Sequence, residues 1–250
     1  MTGASSGIGL EIARIYAGKG RDLVLTARRA DRLASLKAEL LAAHPGIRIA
    51  TETVDLERPD GAETLLAAVA ASGLTIDTLI NNAGFGLRGR FATMPYADQA
   101  AMVELNVTTL TRLCRLVLPD MLARRRGGIV NVASTAAFQA IPFMGVYAAT
   151  KAYVLSLSEA LHEEARPHGV VVTALCPGPT ATEFTKRADL EKSKMFEGAM
   201  DARAVALEGI AGHEAGRAIV ITGARNRFGA IGAQLMPRRL VRRLAMKLQG

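Results

Sequence analysis

The sequence predicts a single α/β domain built on a doubly wound parallel sheet, and three observations carry that expectation. Short runs rich in Val and Ile recur along the chain, apolar on both faces as buried parallel strands are. Segments with helical spacing lie between them, and strand–helix alternation of this kind implies right-handed crossovers. The chain has 250 residues, 50% apolar and 22% charged, a globular composition of a size that one core can serve.

Taken in order, residues 22–27 (DLVLTA), 47–54 (IRIATETV), 78–80, 128–133 (GIVNVA), 170–175 (VVVTAL) and 218–222 (AIVIT) predict strands. Residues 8–18, 31–43, 59–71, 95–123 and 147–167 predict the helices between them. No linker or low-complexity segment divides the chain, so residues 1–250 read as one domain. Residues 180–199 are polar and poorly periodic, and loops of that length in compact domains often serve as lids over active sites. Residues 237–249 predict a basic amphipathic helix. Leu240, Val241, Leu244 and Leu248 share one face, and Arg238, Arg239, Arg242, Arg243 and Lys247 hold much of the rest.

The formal net charge is +8, mostly from Arg. It implies either a surface that attracts anions, such as a phosphorylated cofactor or acidic lipid, or simply a basic composition. No recognition-helix or zinc-finger pattern accompanies the basic residues, which argues against nucleic acid as a partner. Cys114 and Cys176 sit among apolar neighbours, too few and too far apart for a disulfide framework or zinc site. They suit a reducing cytoplasm, and the sequence shows neither a signal peptide nor an apolar run of membrane-spanning length. His44, His162, His168 and His213 lack metal-ligand spacing and read as surface or loop residues, so no metal is expected.

Chemistry concentrates in two places. The chain opens Thr2-Gly3-Ala4-Ser5-Ser6-Gly7-Ile8-Gly9 ahead of a helical stretch. Glycines there let the chain turn tightly and bring backbone close to a pyrophosphate, which sits on free N–H groups at the helix N-terminus. Glycine also serves ordinary turns. At the end of the next strand, an acidic residue would bind a ribose 2′-hydroxyl and repel a 2′-phosphate. That position corresponds to Ala27, and Arg28 follows it, with a guanidinium that grips phosphate by two hydrogen bonds. NADP(H) is therefore expected over NAD(H), against the alternative that Arg28 and Arg29 are merely solvated.

The second place is Tyr147 and Lys151, four apart on a predicted helix and so on one face. An ammonium beside a phenol favours the phenolate and lowers its pKa. A phenol so tuned exchanges a proton with a carbonyl or alcohol oxygen. Ser134 directly follows the strand at 128–133, and open α/β sheets place ligands at the C-terminal ends of their strands.

The spacing Thr-Gly-x-x-x-Gly-x-Gly, followed by Asn81-Asn82-Ala83-Gly84, Glu104-Leu105-Asn106-Val107, Ser134 and Tyr147-x-x-x-Lys151, resembles the short-chain dehydrogenase/reductase (SDR) family. The resemblance is close from Thr2 to about Thr182. It implies a Rossmann-type fold and an NADP-dependent oxidoreductase acting on CH–OH groups. By that resemblance Gly3, Ser5, Ser6, Gly7, Ile8 and Gly9 bind the cofactor diphosphate and adenosine ribose. Asp55 and Leu56 take the adenine, and Asn82, Ala83 and Gly84 form the motif after the following strand. Tyr147 is then the general acid/base, while Lys151 lowers its pKa and binds the nicotinamide ribose. Ser134 hydrogen-bonds the substrate oxygen, and Asn106 holds a water in the proton relay. Pro177, Gly178, Thr180 and Thr182 fall in a segment like the family's Pro-Gly-x-x-x-Thr, whose Thr contacts the carboxamide.

One departure from the family pattern is plain. There an apolar strand, central in the sheet, precedes the glycine turn; here only Met1 stands in its place, and the expectation is a truncated or misassigned start. The substrate is expected to be a ketone, aldehyde or secondary alcohol, with resemblance to the branch that includes 3-hydroxy-acid and acyl-chain reductases. Residues 84–94, 134–146 and 180–199 would shape its pocket, with Phe85, Phe138, Ile141, Phe143, Met144 and Phe184 as candidate apolar lining. A different class of function, a cofactor-binding sensor or scaffold without turnover, stays open at this point. The apolar face of the C-terminal helix admits an acidic membrane, a partner or its own domain as the covering surface. The family resemblance also implies a homodimer or homotetramer formed through the helices at 95–123 and 147–167.

Overall fold

The strands form where aliphatic and β-branched residues run together, and the helices where apolar residues recur every three or four positions. In the computed structural model, residues 1–187 and 198–249 are described. The elements are α1 (Gly7–Gly18), β1 (Leu23–Ala27), α2 (Ala30–Ala43), β2 (Ile49–Thr53), α3 (Gly61–Ala71) and β3 (Thr78–Asn81). Next come α4 (Tyr96–Val103), α5 (Leu110–Arg124), β4 (Gly127–Val132), α6 (Gly145–Ala165), β5 (Val170–Cys176) and the short α7 (Phe184–Arg187). α8 (Ala202–Glu214), β6 (Ile219–Ile221), α9 (Ala224–Leu235) and α10 (Arg238–Gln249) complete the chain.

β1 and β2 form one parallel ladder; β3, β4, β5 and β6 form another, in that order. Met1 and Thr2 join the two ladders. The Met1 amino group donates to Val24 O at 2.6 Å and Thr26 N donates to Met1 O at 2.9 Å, while Thr2 N donates to Ile80 O at 2.9 Å. Among the described residues these two alone make the ladders continuous. Side chains alternate across the sheet. Ile129 of β4 enters a core shared with Met102, Leu113 and Val154 of α4, α5 and α6. Its neighbour Val130 enters the opposite core, with Ile12, Leu33 and Ile210 of α1, α2 and α8. The sheet is covered on both faces, as the strand–helix alternation predicts.

Three local features depart from the sequence reading. Residues 95–123 form α4 and α5 separated by a π-helical turn at Glu104–Thr109, which turns Leu105, Asn106 and Thr109 inward. π-turns of this kind cluster at functional sites. α8 and α9 were not anticipated. α8 is rich in Ala and Gly, so its periodic signal is weak, and it packs closely because a Cβ on Gly209 or Gly212 would press into Leu175 or Val220. His162 and His213, expected at the surface or in loops, are buried. Each has a polar partner that makes burial tolerable: His162 Nδ1 lies 2.7 Å from Val172 O, and His213 Nδ1 2.9 Å from Thr173 Oγ1. Thr173 donates to Arg217 O at 2.8 Å, so it accepts from His213. Burial holds the His213 imidazole down at about 4.

Candidate active site

Parallel strands all end on one side of the sheet, and the loops leaving β1, β2, β3, β4 and β5 enclose a cleft of about 500 Å³ there. Its floor begins at the glycine turn. Gly3 (φ +64°) and Gly7 (φ +57°) occupy left-handed backbone that L side chains rarely adopt, and a Cβ on Gly7 would meet Thr182. Ser6 caps α1 without a side-chain hydrogen bond to the backbone, so the first N–H groups of the helix stay available to an anion. Asn82 pins this turn to the end of β3: its Nδ2 donates to Thr2 O and Gly3 O at 3.2 and 3.0 Å. Thr2 Oγ1 accepts from the backbone N–H of both Asn82 and Ala83 at 3.0 Å.

Ser134, at the end of β4, accepts from Ala136 N at 3.1 Å. Tyr147 and Lys151 stand one turn apart on α6, both nearly buried. Lys151 Nζ donates to Val132 O at 2.7 Å and lies 5.8 Å from the centroid of the Tyr147 ring. Burial pushes the Tyr147 phenol up to about 12, opposed by a hydrogen bond with Ser134. Burial also pulls the Lys151 ammonium down to about 8. The expected lowering of the Tyr147 pKa by Lys151 is therefore not what this arrangement produces: desolvation dominates, and the phenol keeps its proton at neutral pH. A buried, protonated phenol beside a serine hydroxyl can donate to an oxygen placed between them.

The cleft brings together nearly every residue the sequence singled out. Gly3, Ser5, Ser6, Gly7, Ile8, Arg28, Asp55, Leu56, Asn82, Ala83 and Gly84 line one part. Ser134, Tyr147, Lys151, Pro177, Gly178, Thr180 and Thr182 line the other. Two do not line it. Gly9 sits behind the turn, where a Cβ would press on the Gly3 carbonyl oxygen and Asn82 Nδ2, so its part is to let α1 approach closely. Asn106, in the π-turn, is buried behind Gly84. Its Oδ1 accepts from Phe85 N at 3.1 Å, and its Nδ2 donates to Phe85 O at 2.8 Å and Thr150 Oγ1 at 3.2 Å.

Arg28 lines the cleft, but its guanidinium donates to Glu57 at 2.9 Å. Arg29 is the closer cation to the glycine turn, with Nη2 3.0 Å from the hydroxyl oxygens of Ser5 and Ser6. Arg29 also pairs with Glu183, which Arg32 holds from the other side. These pairings join loops distant in sequence, so no local signal marks them. Among the apolar candidates, Phe85, Ile141, Met144 and Phe184 line the cleft, the Phe184 ring 5.4 Å from that of Tyr147. Phe138 instead lines a separate hollow. Phe143 lies under Arg88 and Arg90, off the cleft. Of the expected lid, Thr180, Thr182, Glu183 and Phe184 reach the cleft, and residues 188–197 lie outside those described.

A profile of the short chain dehydrogenase family matches residues 1–193. The chain belongs to that family. This short-chain dehydrogenase is 37% identical over 188 residues to serine 3-dehydrogenase of Agrobacterium fabrum, covering 74% of this chain and 72% of the relative. It is 33% identical over 177 residues to a very-long-chain 3-oxoacyl-CoA reductase of Mycosarcoma maydis, covering 70% of this chain but about half (51%) of that longer protein. Among solved structures, a short-chain dehydrogenase from Sphingobium yanoikuyae in complex with NADPH superposes with a TM-score of 0.84 at 33% identity, covering 93% of this chain and 91% of that one. One from Burkholderia phymatum in complex with NAD gives 0.82 at 27% identity, covering 92% and 90%. Membership makes this chain a member of an oxidoreductase family with a nicotinamide cofactor and CH–OH or carbonyl substrates.

Proposed function

We propose that this short-chain dehydrogenase moves a hydride between NADP(H) and a ketone, aldehyde or secondary alcohol, with 3-hydroxy acids and acyl chains as the favoured substrate class. The convergence of Ser134, Tyr147 and Lys151 on one cleft with the glycine turn carries this reading. The cleft fits a dinucleotide: its volume, the left-handed Gly3 and Gly7, and the uncapped start of α1 all suit a bound pyrophosphate. Gly3, Ser5, Ser6, Gly7 and Ile8 would hold the diphosphate end, Asp55 and Leu56 the adenine, and Lys151 and Thr182 the nicotinamide end. When bound, the cofactor supplies or takes the hydride.

The chain supplies the rest. In the reducing direction Tyr147, kept protonated by burial, donates its proton to the substrate oxygen as Ser134 donates a hydrogen bond to the same atom. Lys151, its ammonium pulled down to about 8 by burial, is placed one helical turn away to help restore that proton. Asn106 acts as a positioning residue, holding the Phe85 backbone and Thr150 beside the cleft, with a relay water as its further role. Arg28 and Arg29 stand where a 2′-phosphate would reach, which supports NADP(H) over NAD(H). The substrate end is apolar, lined by Phe85, Ile141, Met144 and Phe184, which suits the hydrocarbon part of an acyl chain or bulky ketone. Cytoplasmic location and self-association through α4, α5 and α6 belong to the same proposal; Val103, Leu116 and Tyr153 are exposed on those helices. NADPH oxidation with a panel of ketones, aldehydes and 3-oxoacyl thioesters tests it. Turnover with at least one carbonyl class is expected, and silence across the whole panel would favour a binding protein without turnover.

A further inference from the structure

Charge is not spread evenly along this chain. Residues 1–214 contain 23 Lys and Arg and all 23 Asp and Glu, whereas residues 215–250 contain the other eight cations and no acidic side chain. The whole formal excess of +8 therefore sits in the C-terminal segment, on Arg217, Arg225, Arg227, Arg238, Arg239, Arg242, Arg243 and Lys247. Among the described residues no carboxylate pairs with any of these. The segment supplies no acid of its own; the neighbouring carboxylates come from α6, where Glu159 shares a hollow with Arg217 and Arg227, and from α8, where Glu208 accepts from Gly223 N.

The same segment exposes apolar side chains in register. On α9, Phe228, Ile231 and Leu235 are spaced three and four apart, so they form one stripe, and Phe228 and Leu235 are 76% and 81% exposed. Ala230, on the opposite side of α9, is buried. α10 buries only Val241 and Ala245 among its described side chains, and leaves Leu240 and Leu244 exposed on the flank of that buried pair. Its four arginines and Lys247 are all exposed. The outcome is a helical hairpin with large apolar groups in water, fringed by unpaired cations.

We propose that α9 and α10 form a peripheral docking surface for a bilayer containing anionic lipid. The apolar stripe enters the boundary between headgroups and acyl chains, and the arginines meet lipid phosphates. Charge selects this occupant. A second copy of the chain meeting this surface with its own would set the seven cations of α9 and α10 against seven more. A nucleic acid would satisfy the arginines but leave Phe228, Ile231 and Leu235 in water. No helix among the described residues is long and apolar enough to cross a membrane, so the contact lies on the surface. The residues concerned do not line the cleft, so the proposal stands apart from the reaction proposed for it.

Sedimentation of the full chain with vesicles tests it, using phosphatidylcholine alone and equal parts phosphatidylcholine and phosphatidylglycerol. Binding is expected to the anionic vesicles only, and to fall as salt rises. Each cation near such a surface contributes about fivefold to partitioning, so R238Q/R242Q/R243Q should bind on the order of 100-fold more weakly. F228S/L235S should weaken binding about tenfold or more, since burying each side chain contributes by its apolar area. Both variants change exposed residues, and an unchanged melting temperature and NADPH binding establish that they fold. Failure to bind anionic vesicles, equal binding to neutral ones, or full binding by the triple variant would overturn the proposal. So would a stable oligomer that F228S/L235S breaks into monomers, because the stripe would then belong to a second copy. Duplex DNA that binds as tightly as the anionic vesicles, and is indifferent to F228S/L235S, would overturn it in favour of nucleic acid.

Discussion

Replacing Arg29 with alanine separates recognition of a 2′-phosphate from recognition of the rest of a dinucleotide. Arg29 Nη2 lies 3.0 Å from the hydroxyls of Ser5 and Ser6, at the rim of the glycine turn where an adenosine ribose would rest. Its present partner is Glu183, at 2.8 Å, which is also held by Arg32 at 2.5 Å. The Arg29, Arg32 and Glu183 side chains are 39%, 45% and 44% exposed, and ion pairs in such a setting contribute only ~0–1 kcal/mol. A doubly charged phosphate therefore displaces Glu183 at little cost. Hydrogen bonds between a guanidinium and a phosphate contribute about 1.5–3 kcal/mol. Arg29→Ala should accordingly raise the Kd for NADPH about 10- to 150-fold while changing that for NADH about threefold or less. Arg28→Ala, run in parallel, removes the arginine that pairs with Glu57 and should show the smaller selective effect. Titration followed by NADPH fluorescence suits a chain without Trp. Equal weakening of both cofactors would refute phosphate recognition by Arg29, and tighter binding of NADH by the unmodified protein would refute the preference itself.

Further expectations follow from individual side chains. Tyr147→Phe should lower turnover by about 10²–10⁴-fold, as loss of a general acid does, with NADPH affinity unchanged; full activity in the variant would remove Tyr147 from the reaction. His213 has its pKa depressed from 6.5 to about 4, so the unfolded chain takes up the proton first as pH falls through that window. Stability should drop by about 3 kcal/mol between pH 6.5 and 4 on this account alone, measurable by urea unfolding. His213→Leu should flatten that part of the pH dependence, and parallel curves for both proteins would assign it elsewhere. Gly9→Ala should destabilise by about 1–3 kcal/mol and weaken NADPH binding, because its Cβ meets the backbone oxygen of Gly3, which cannot swing aside; an unchanged thermal melt would contradict this.

Much of the architecture is legible in the sequence. The β4 run GIVNVA and the β5 run VVVTAL are continuous apolar strings, and such strings are what a strand covered on both faces requires. α8 was not legible, because nearly half of it is Ala and Gly and what holds it is close contact with Leu175 and Val220, and α9 was missed as well, a helix that buries only Ala230. The π-turn around Asn106 was equally hidden, since its helical spacing continues without interruption from α4 into α5. Gly9 and Asn106 illustrate a further limit. The motif puts Gly9 with the cofactor-binding residues and Asn106 with the catalytic set, and both stand behind the lining of the cleft, Gly9 where α1 packs closely and Asn106 against Phe85 and Thr150.

The sequence by itself determined the order of the six strands, the glycine turn, and the one-turn spacing of Tyr147 and Lys151, because these depend on neighbours along the chain. Tertiary structure alone decided which arginine meets Ser5, that His162 and His213 lie inside, and that the Tyr147 phenol is pushed up rather than down. Each of these depends on how much water and which charges surround a side chain. That environment is built by segments far apart in sequence, so it exists only once they have packed together.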